Sequence, residues 1–260
     1  MDPALIIGVV LAVVAIVGSV TMEGGNIAAI FLPAPMVLVL LGTLGAAVAG
    51  SVMRDAKALP KQLVRAFTAK TPKPDAAVET LVRLAGKARR EGLLALEGDV
   101  AEIDDEFLRR GLQLAIDGTD ADEVALILGS EVDTKRAADK SAAKIFTDMG
   151  GFAPTIGIIG TVLGLVKVLG HLSSPSKLGA EIASAFVATL WGVMTANVFW
   201  LPMGNRLKRV SEAECEQMDL IIEGILAIQA GSNPRVIEQR LQSLLPASVR
   251  KTGDDERSAA

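Results

Sequence analysis

At 260 residues, with 50% hydrophobic, 22% charged and 3% aromatic residues and a mean hydropathy of +0.43, the chain is more apolar than a soluble domain of its size. Lys+Arg 26 against Asp+Glu 30 leaves a net charge of −4, so there is no basic excess to grip a phosphate backbone, which argues against nucleic acid as a partner. One Cys (Cys215) and one His (His171) cannot supply a disulfide framework, a Cys/His metal cluster or a Cys-x-x-Cys redox pair.

A helix needs about 20 largely apolar residues to cross a hydrocarbon core of about 30 Å. Four stretches approach that length. The first, from about Ala4 to Met22, carries no charge and is followed by the turn-like Glu23-Gly24-Gly25-Asn26. Asp2 stands where a signal peptide would have a basic region, and a second apolar run follows at once, so this segment reads as a retained span. The second span runs from about Pro33 to Met53, its prolines suiting a first helical turn that has no use for their missing N–H groups.

A polar stretch of about a hundred residues comes next. After the break at Thr71-Pro72-Lys73-Pro74, Asp75 reads as an N-cap, and Val78, Leu81, Val82 and Ala85 recur at helical spacing. Glu91-Gly92 ends that helix, and Leu93, Leu94 and Leu96 form a short apolar run before Glu97-Gly98-Asp99. Two more helices are expected, about Asp104–Ile116 and about Asp122–Met149. With narrow apolar faces, this domain is expected to borrow part of its burial from neighbouring subunits.

Spans three and four follow, from about Gly150 to Leu172 and about Ala180 to Met203. Helical spacing then continues from Asn205 to Ala230, is stopped by Gly231-Ser232-Asn233-Pro234, and resumes briefly over Arg235–Leu245. The polar tail from Lys251 reads as disordered. Arg54, Lys57, Lys61 and Arg65 follow span two, and Arg206, Lys208 and Arg209 follow span four, while the short opposite loops hold only Lys177 as a basic residue. By the positive-inside rule both termini and the large middle domain face the cytoplasm.

The expected fold class is therefore an all-α membrane protein. Transmembrane helices one and two occupy 1–53, a helical cytoplasmic domain 54–149, transmembrane helices three and four 150–205, and a cytoplasmic helical extension with a disordered tail 206–260.

No Asp or Glu lies in the middle of a span, so a carboxylate on any cation path has to come from another chain. The spans offer small residues and hydroxyls instead: Gly157, Thr161, Gly164 and Val168 on span three, and Ala185, Thr189, Gly192 and Ala196 on span four. Such faces let helices approach closely. From composition alone, simple packing, with each Thr bonded back to its own i−4 carbonyl, is the favoured reading. Pro154 and Pro202 each remove a backbone hydrogen bond near the cytoplasmic ends of these spans, either as tolerated breaks or as kinks with a use. Lys167 and His171, one turn apart near the outer surface, read as side chains snorkelling to headgroups. No nucleophile–base pair, metal-ligand cluster or phosphate-binding Gly-x-x-x-x-Gly-Lys loop is visible, so an enzyme is the least favoured class, and no cofactor or catalytic residue is assigned.

The run Ala153-Pro154-Thr155-Ile156-Gly157-Ile158-Ile159-Gly160-Thr161-Val162-Leu163-Gly164-Leu165 resembles the third-span signature of the flagellar stator A subunit, the MotA/PomA family. Ala188-Thr189-Leu190-Trp191-Gly192 followed by Ala196-Asn197 and Pro202 is similar to that family's fourth span, and Leu93-Leu94-Ala95-Leu96-Glu97 resembles its cytoplasmic helix junction. The resemblance covers essentially the whole chain. It implies a pentamer of A subunits around a pair of MotB/PomB-like B subunits, whose single spans carry the ion-binding Asp, in the bacterial cytoplasmic membrane. It further implies that Pro154 and Pro202 couple ion passage to conformational change, and that Thr161 and Thr189 line the ion path. Arg89 or Arg90, with Glu97, would then contact a FliG-like protein of the rotor switch complex; without the resemblance these charges read as a solvated helix face. The transported cation is left open between proton and sodium. The rivals are a TolQ/ExbB-like energy transducer, which usually has one span before its cytoplasmic domain, and a passive membrane scaffold without ion flux.

Overall fold

The computed structural model describes residues 3–245, and the polar tail expected from Lys251 lies outside them. Helices and connecting turns make up this region, with no strand among the described residues. The described residues divide into two compact units, 3–70 with 138–210, and 71–137 with 211–245.

In the first unit, α1 (Ala4–Met22) is apolar almost throughout, and Leu5 is its one buried residue. A 3-10 turn, Ile27–Ile30, is capped by Asn26, whose side chain accepts from the Ala28 N–H at 2.9 Å. The second helix, α2, spans Pro33–Ala49 and starts on the expected proline. It ends four residues before the expected Met53: Gly50 and Ser51 close it, Val52 is extended, and α3 (Met53–Thr68) begins as a separate helix with polar Arg54 and Asp55 in its first turn. One face of α3 is fastened to neighbouring helices. Arg65 donates to Asp139 at 2.5 and 3.1 Å, Ser141 Oγ donates to Asp55 at 2.7 Å, and Arg206 Nε donates to the Ala66 carbonyl at 2.7 Å. Ala66 joins Leu5, Ala143, Phe146, Met203 and Leu207 in a small apolar core.

The cytoplasmic helix expected to stop near Met149 and the third span are one helix, α7 (Ala121–Gly170, 50 residues). Neither Gly150-Gly151 nor Pro154 interrupts it, because a proline removes one hydrogen bond while its neighbours in the ladder persist. The fourth span is likewise part of a longer run. It comprises α8 (Pro175–Thr195), a π turn (Ala196–Trp200) and α9 (Leu201–Gln229). Among the described residues, three segments are long and apolar enough to cross a membrane by length and composition: Ala4–Met22, Ala121–Gly170 and Leu178–Gln229; Pro33–Ala49 is apolar but shorter.

In the second unit, α4 (Pro74–Glu91) starts on Pro74, with Lys73 at the cap position. Asp75, expected as the N-cap, lies instead inside the first turn, where its charge favours the helix N-terminus. Gly92, at φ +88, ends α4 in the left-handed region that a side chain would resist. A 3-10 turn (Leu93–Leu96), α5 (Glu97–Ala101) and α6 (Glu106–Ile116) follow, the last capped by Asp105, which accepts from the Phe107 and Leu108 N–H groups at 3.0 Å. With α10 (Pro234–Leu244), these helices enclose one apolar core that includes Val78, Leu81, Leu84, Leu96, Leu112, Leu128, Ile221, Ile225 and Leu241. Leu96 is the member of the leucine run that enters it, while Leu94 stays 73% exposed.

Candidate functional site

The small residues picked out on spans three and four meet face to face. A Cβ on Gly157 would lie 2.9 Å from the Ala188 carbonyl oxygen and 3.1 Å from the Thr189 Cα, and one on Gly192 would lie 2.5 Å from the Ala153 carbonyl oxygen. Gly164 is as tight against the Ala185 Cβ, at 2.5 Å. Only glycine permits backbones this close.

That approach brings the two threonines together. Thr161 Oγ1 lies 2.5 Å from Thr189 Oγ1, and it donates across the interface to the Ala185 carbonyl at 2.9 Å. The Gly157 carbonyl is within 3.3 Å of both hydroxyls. Back-bonding to the i−4 carbonyl therefore describes Thr161 only in part, and Thr189 not at all, since Thr161 occupies the Ala185 carbonyl that Thr189 would have used. Both hydroxyl protons have acceptors here, and oxygen lone pairs remain. The result is a half-buried group of four oxygens, from Thr161, Thr189, Gly157 and Ala185, in a segment (150–203) whose only acid is Glu181.

Both prolines sit beside this crossing. Pro154 lies one turn from Gly157 in α7, and Gly150, whose carbonyl has no proline N–H to accept, packs under Leu201, where a Cβ would come within 2.4 Å of the Leu201 Cδ2. Pro202 is the second residue of α9, directly after the π turn. At Pro202 the sequence leaves a tolerated break and a kink equally open. The observed device is a π turn, which widens the helix where the Val198 carbonyl loses its i+4 donor. Trp200 Nε1, in that turn, is buried with no acceptor, and Asn197 and Val198 of the turn line, with Leu5, Gly8, Val9 and Pro202, a cavity of about 230 Å³.

Sequence reasoning missed three features. Trp191 Nε1 donates to the Ile30 carbonyl at 2.7 Å and its ring meets Phe31 edge-on at 5.6 Å, pinning the loop between α1 and α2 to α8. Thr43 Oγ1 in α2 is buried without a partner. Lys167 and His171 do not simply snorkel: Glu181 lies 3.4 Å from Lys167 Nζ and 2.9 Å from His171 Nδ1, joining the end of α7 to the start of α8. The separation of Glu181 from both in sequence hid this grouping.

In the second unit, Arg89 and Arg90 are exposed in the last turn of α4, and Glu97 is exposed at the first position of α5. Glu97 does not pair with either arginine; the acid nearest Arg90 is Glu91, at 4.0 Å. The local clasp is made by Asp99, which accepts from Lys87 and, at 3.0 Å, from Arg83. Those hydrogen bonds, Lys87 first, hold the Asp99 carboxyl below the usual carboxylate range.

The family profile of the MotA/TolQ/ExbB proton channel family matches residues 99–220, and that of the Motility protein A N-terminal region matches residues 6–92. Motility protein A of Bacillus subtilis (strain 168) is 38% identical over 254 residues, covering 96% of this chain and 93% of the relative. Motility protein A of Helicobacter pylori (strain 26695) is 35% identical over 253 residues, covering 97% and 98%. Among solved structures, C. jejuni MotAB superposes with a TM-score of 0.92 at 30% identity over 97% of this chain and 100% of the other. The flagellar MotAB stator complex from Bacillus subtilis superposes with 0.89 at 36% identity over 98% of each. With relatives matched across nearly its whole length and the same fold as these structures, the chain belongs to the Motility protein A (MotA) family of membrane proteins.

Proposed function

We infer that this chain is a stator subunit of the bacterial flagellar motor, forming with a MotB-type partner a channel that couples cation flow to torque on the rotor. The reading is carried by one observation: at the glycine-lined crossing of α7 and α8, two threonine hydroxyls and two carbonyls gather where the chain has no carboxylate of its own. A path for a proton or sodium ion built on this group is completed by an acid from the partner's span, as burying an uncompensated charge there costs several kcal/mol. Thr161 and Thr189 line it.

The chain crosses the cytoplasmic membrane four times, with α2 as the short second span and both termini in the cytoplasm. The basic residues after α2 and in the first turns of α9 support that orientation. Five copies surround the partner pair. Neutralisation of the partner's carboxylate by the cation changes which packing of α7 and α8 is preferred, and Pro154 and Pro202, at the turn beneath the crossing, carry that change toward the cytoplasm. One charge crossing about 150 mV releases about 3.5 kcal/mol, sufficient to bias such a step a few hundredfold. Arg89, Arg90 and Glu97 meet the FliG-like rotor protein as separate exposed charges. Each such pair contributes about 0–1 kcal/mol, so several share the contact.

Swimming and ion uptake in cells making both subunits test the reading. Thr189→Val and Pro154→Ala each suppress rotation while the protein still reaches the membrane; unchanged rotation would instead favour packing alone and a passive scaffold. Motility with and without sodium at constant proton-motive force identifies the ion.

A further inference from the structure

The inner face of α3 is accounted for by its clasps to Asp139, Ser141 and Arg206, together with Ala66, Leu59 and Phe67 in the small core. The outer face is of a different kind. Met53 (63% exposed) and Val64 (60%) are apolar and uncovered. Lys57 and Lys61 are exposed beside them, with Arg54 at the edge. At 100° per residue, positions 53, 60 and 64 fall together, and 54, 57 and 61 form the adjoining strip. The only acid of the helix, Asp55, points the other way and is engaged by Ser141 and, at 3.3 Å, by Arg54. The outer face is therefore half apolar and half basic with no acid on it, and it begins only four residues after the apolar α2 ends at Ala49. A face of that composition, continuous with a membrane span, matches the boundary between headgroups and acyl chains.

We propose that the outer face of α3 binds anionic phospholipids of the cytoplasmic leaflet: Lys57 and Lys61, with Arg54 at the edge, hold the phosphate headgroups while Met53 and Val64 enter the acyl boundary. This rests on α2 crossing the membrane as proposed above. Lysines at such a surface each strengthen the attraction to an anionic leaflet by up to about fivefold in the association constant. The helix thereby serves as a cytoplasmic float, held to the rest of its unit by Arg65 and to the leaflet by its lysines.

The test uses the full chain reconstituted with its B-type partner, in a Cys215→Ser background, because Cys215 is the only cysteine. A fluorophore is placed at Val64→Cys on α3 or, as a control, at Leu41→Cys on the exposed face of α2. Quenching is read in vesicles of phosphatidylcholine with either brominated phosphatidylglycerol or brominated phosphatidylcholine. The expected result is quenching at position 64 several-fold stronger with brominated phosphatidylglycerol, a preference that falls toward parity in Lys57→Gln/Lys61→Gln. At position 41, both lipids should quench alike. Equal quenching by both lipids at position 64 would overturn the headgroup recognition. Quenching only by aqueous iodide would place the face in water, and shielding from every quencher would mean that another protein surface covers it; either overturns the proposal. A label at position 41 that no lipid quenches would overturn the span reading itself, and with it this inference.

Discussion

A single hydroxyl decides much at the α7/α8 crossing. Thr189→Val keeps the shape of the side chain and removes one hydrogen bond, which costs about 1 kcal/mol of stability, whereas Thr189→Ser keeps the oxygen. If the hydroxyl serves the ion, torque is lost in the Val variant and retained in large part in the Ser variant, both at normal expression; equal torque in the two, measured by tethered-cell rotation, would assign Thr189 to packing. Asp99 gives a prediction in pH. Its folded-state carboxyl titrates below the ordinary carboxylate range because Lys87 and Arg83 donate to it, so its contribution to stability is present above about pH 4 and is lost as pH falls from there through the depressed value. Thermal melts of the purified protein between pH 5 and pH 3 should show a smaller acid-induced loss in Asp99→Asn than in the parent. A parallel loss in both would remove Asp99 from the account.

Among elements, the closeness of α7 and α8 makes glycine positions unequal. Gly192→Ala places a methyl 2.5 Å from the Ala153 carbonyl oxygen, where backbone has to move, and is expected to destabilise by about 1–3 kcal/mol and to part the two threonines. Gly129→Ala, in α7 with nothing within 4 Å of the new methyl, is expected to stabilise by about 0.4–1 kcal/mol. Denaturation midpoints moving in the same direction for both would contradict the packing described. Arg65→Ala leaves the Asp139 carboxylate, 11% exposed, without its guanidinium, at a cost of roughly 2–3 kcal/mol. Protease sensitivity localised to α3 is the readout, and an unchanged digestion pattern would show that the clasp does not hold that helix.

For the molecule as a whole, the absence of any acid but Glu181 between 150 and 203 predicts that the chain reconstituted alone carries no selective cation current, while co-reconstitution with a B-type partner does. Robust current from the chain by itself, recorded in planar bilayers, would end the idea of a borrowed carboxylate. The helix α7 runs unbroken from Ala121 to Gly170, whereas the α8–α9 run is interrupted by the π turn before Pro202.

Span order, basic flanks, small-residue faces and both prolines are all legible in the sequence, because each is a local property: apolar length, charge beside it, glycine at helical spacing, a missing N–H. Helix ends are less so. The second span looked continuous to Met53 because Val52 and Met53 are apolar, and only the extended backbone at Val52 separates α3 from it. The fusion of the third span with the helix before it was hidden for the opposite reason, since glycines and a proline that usually stop helices are overridden by packing. Composition alone determined that this is a membrane helix protein without an acid for its own ion path. The tertiary structure decided which oxygens meet, that Glu181 gathers Lys167 and His171, and that Asp99 rather than Glu97 pairs with the cations of α4. Those contacts join residues 10 to 28 positions apart, and periodicity within one helix carries no information about which face of another will lie against it.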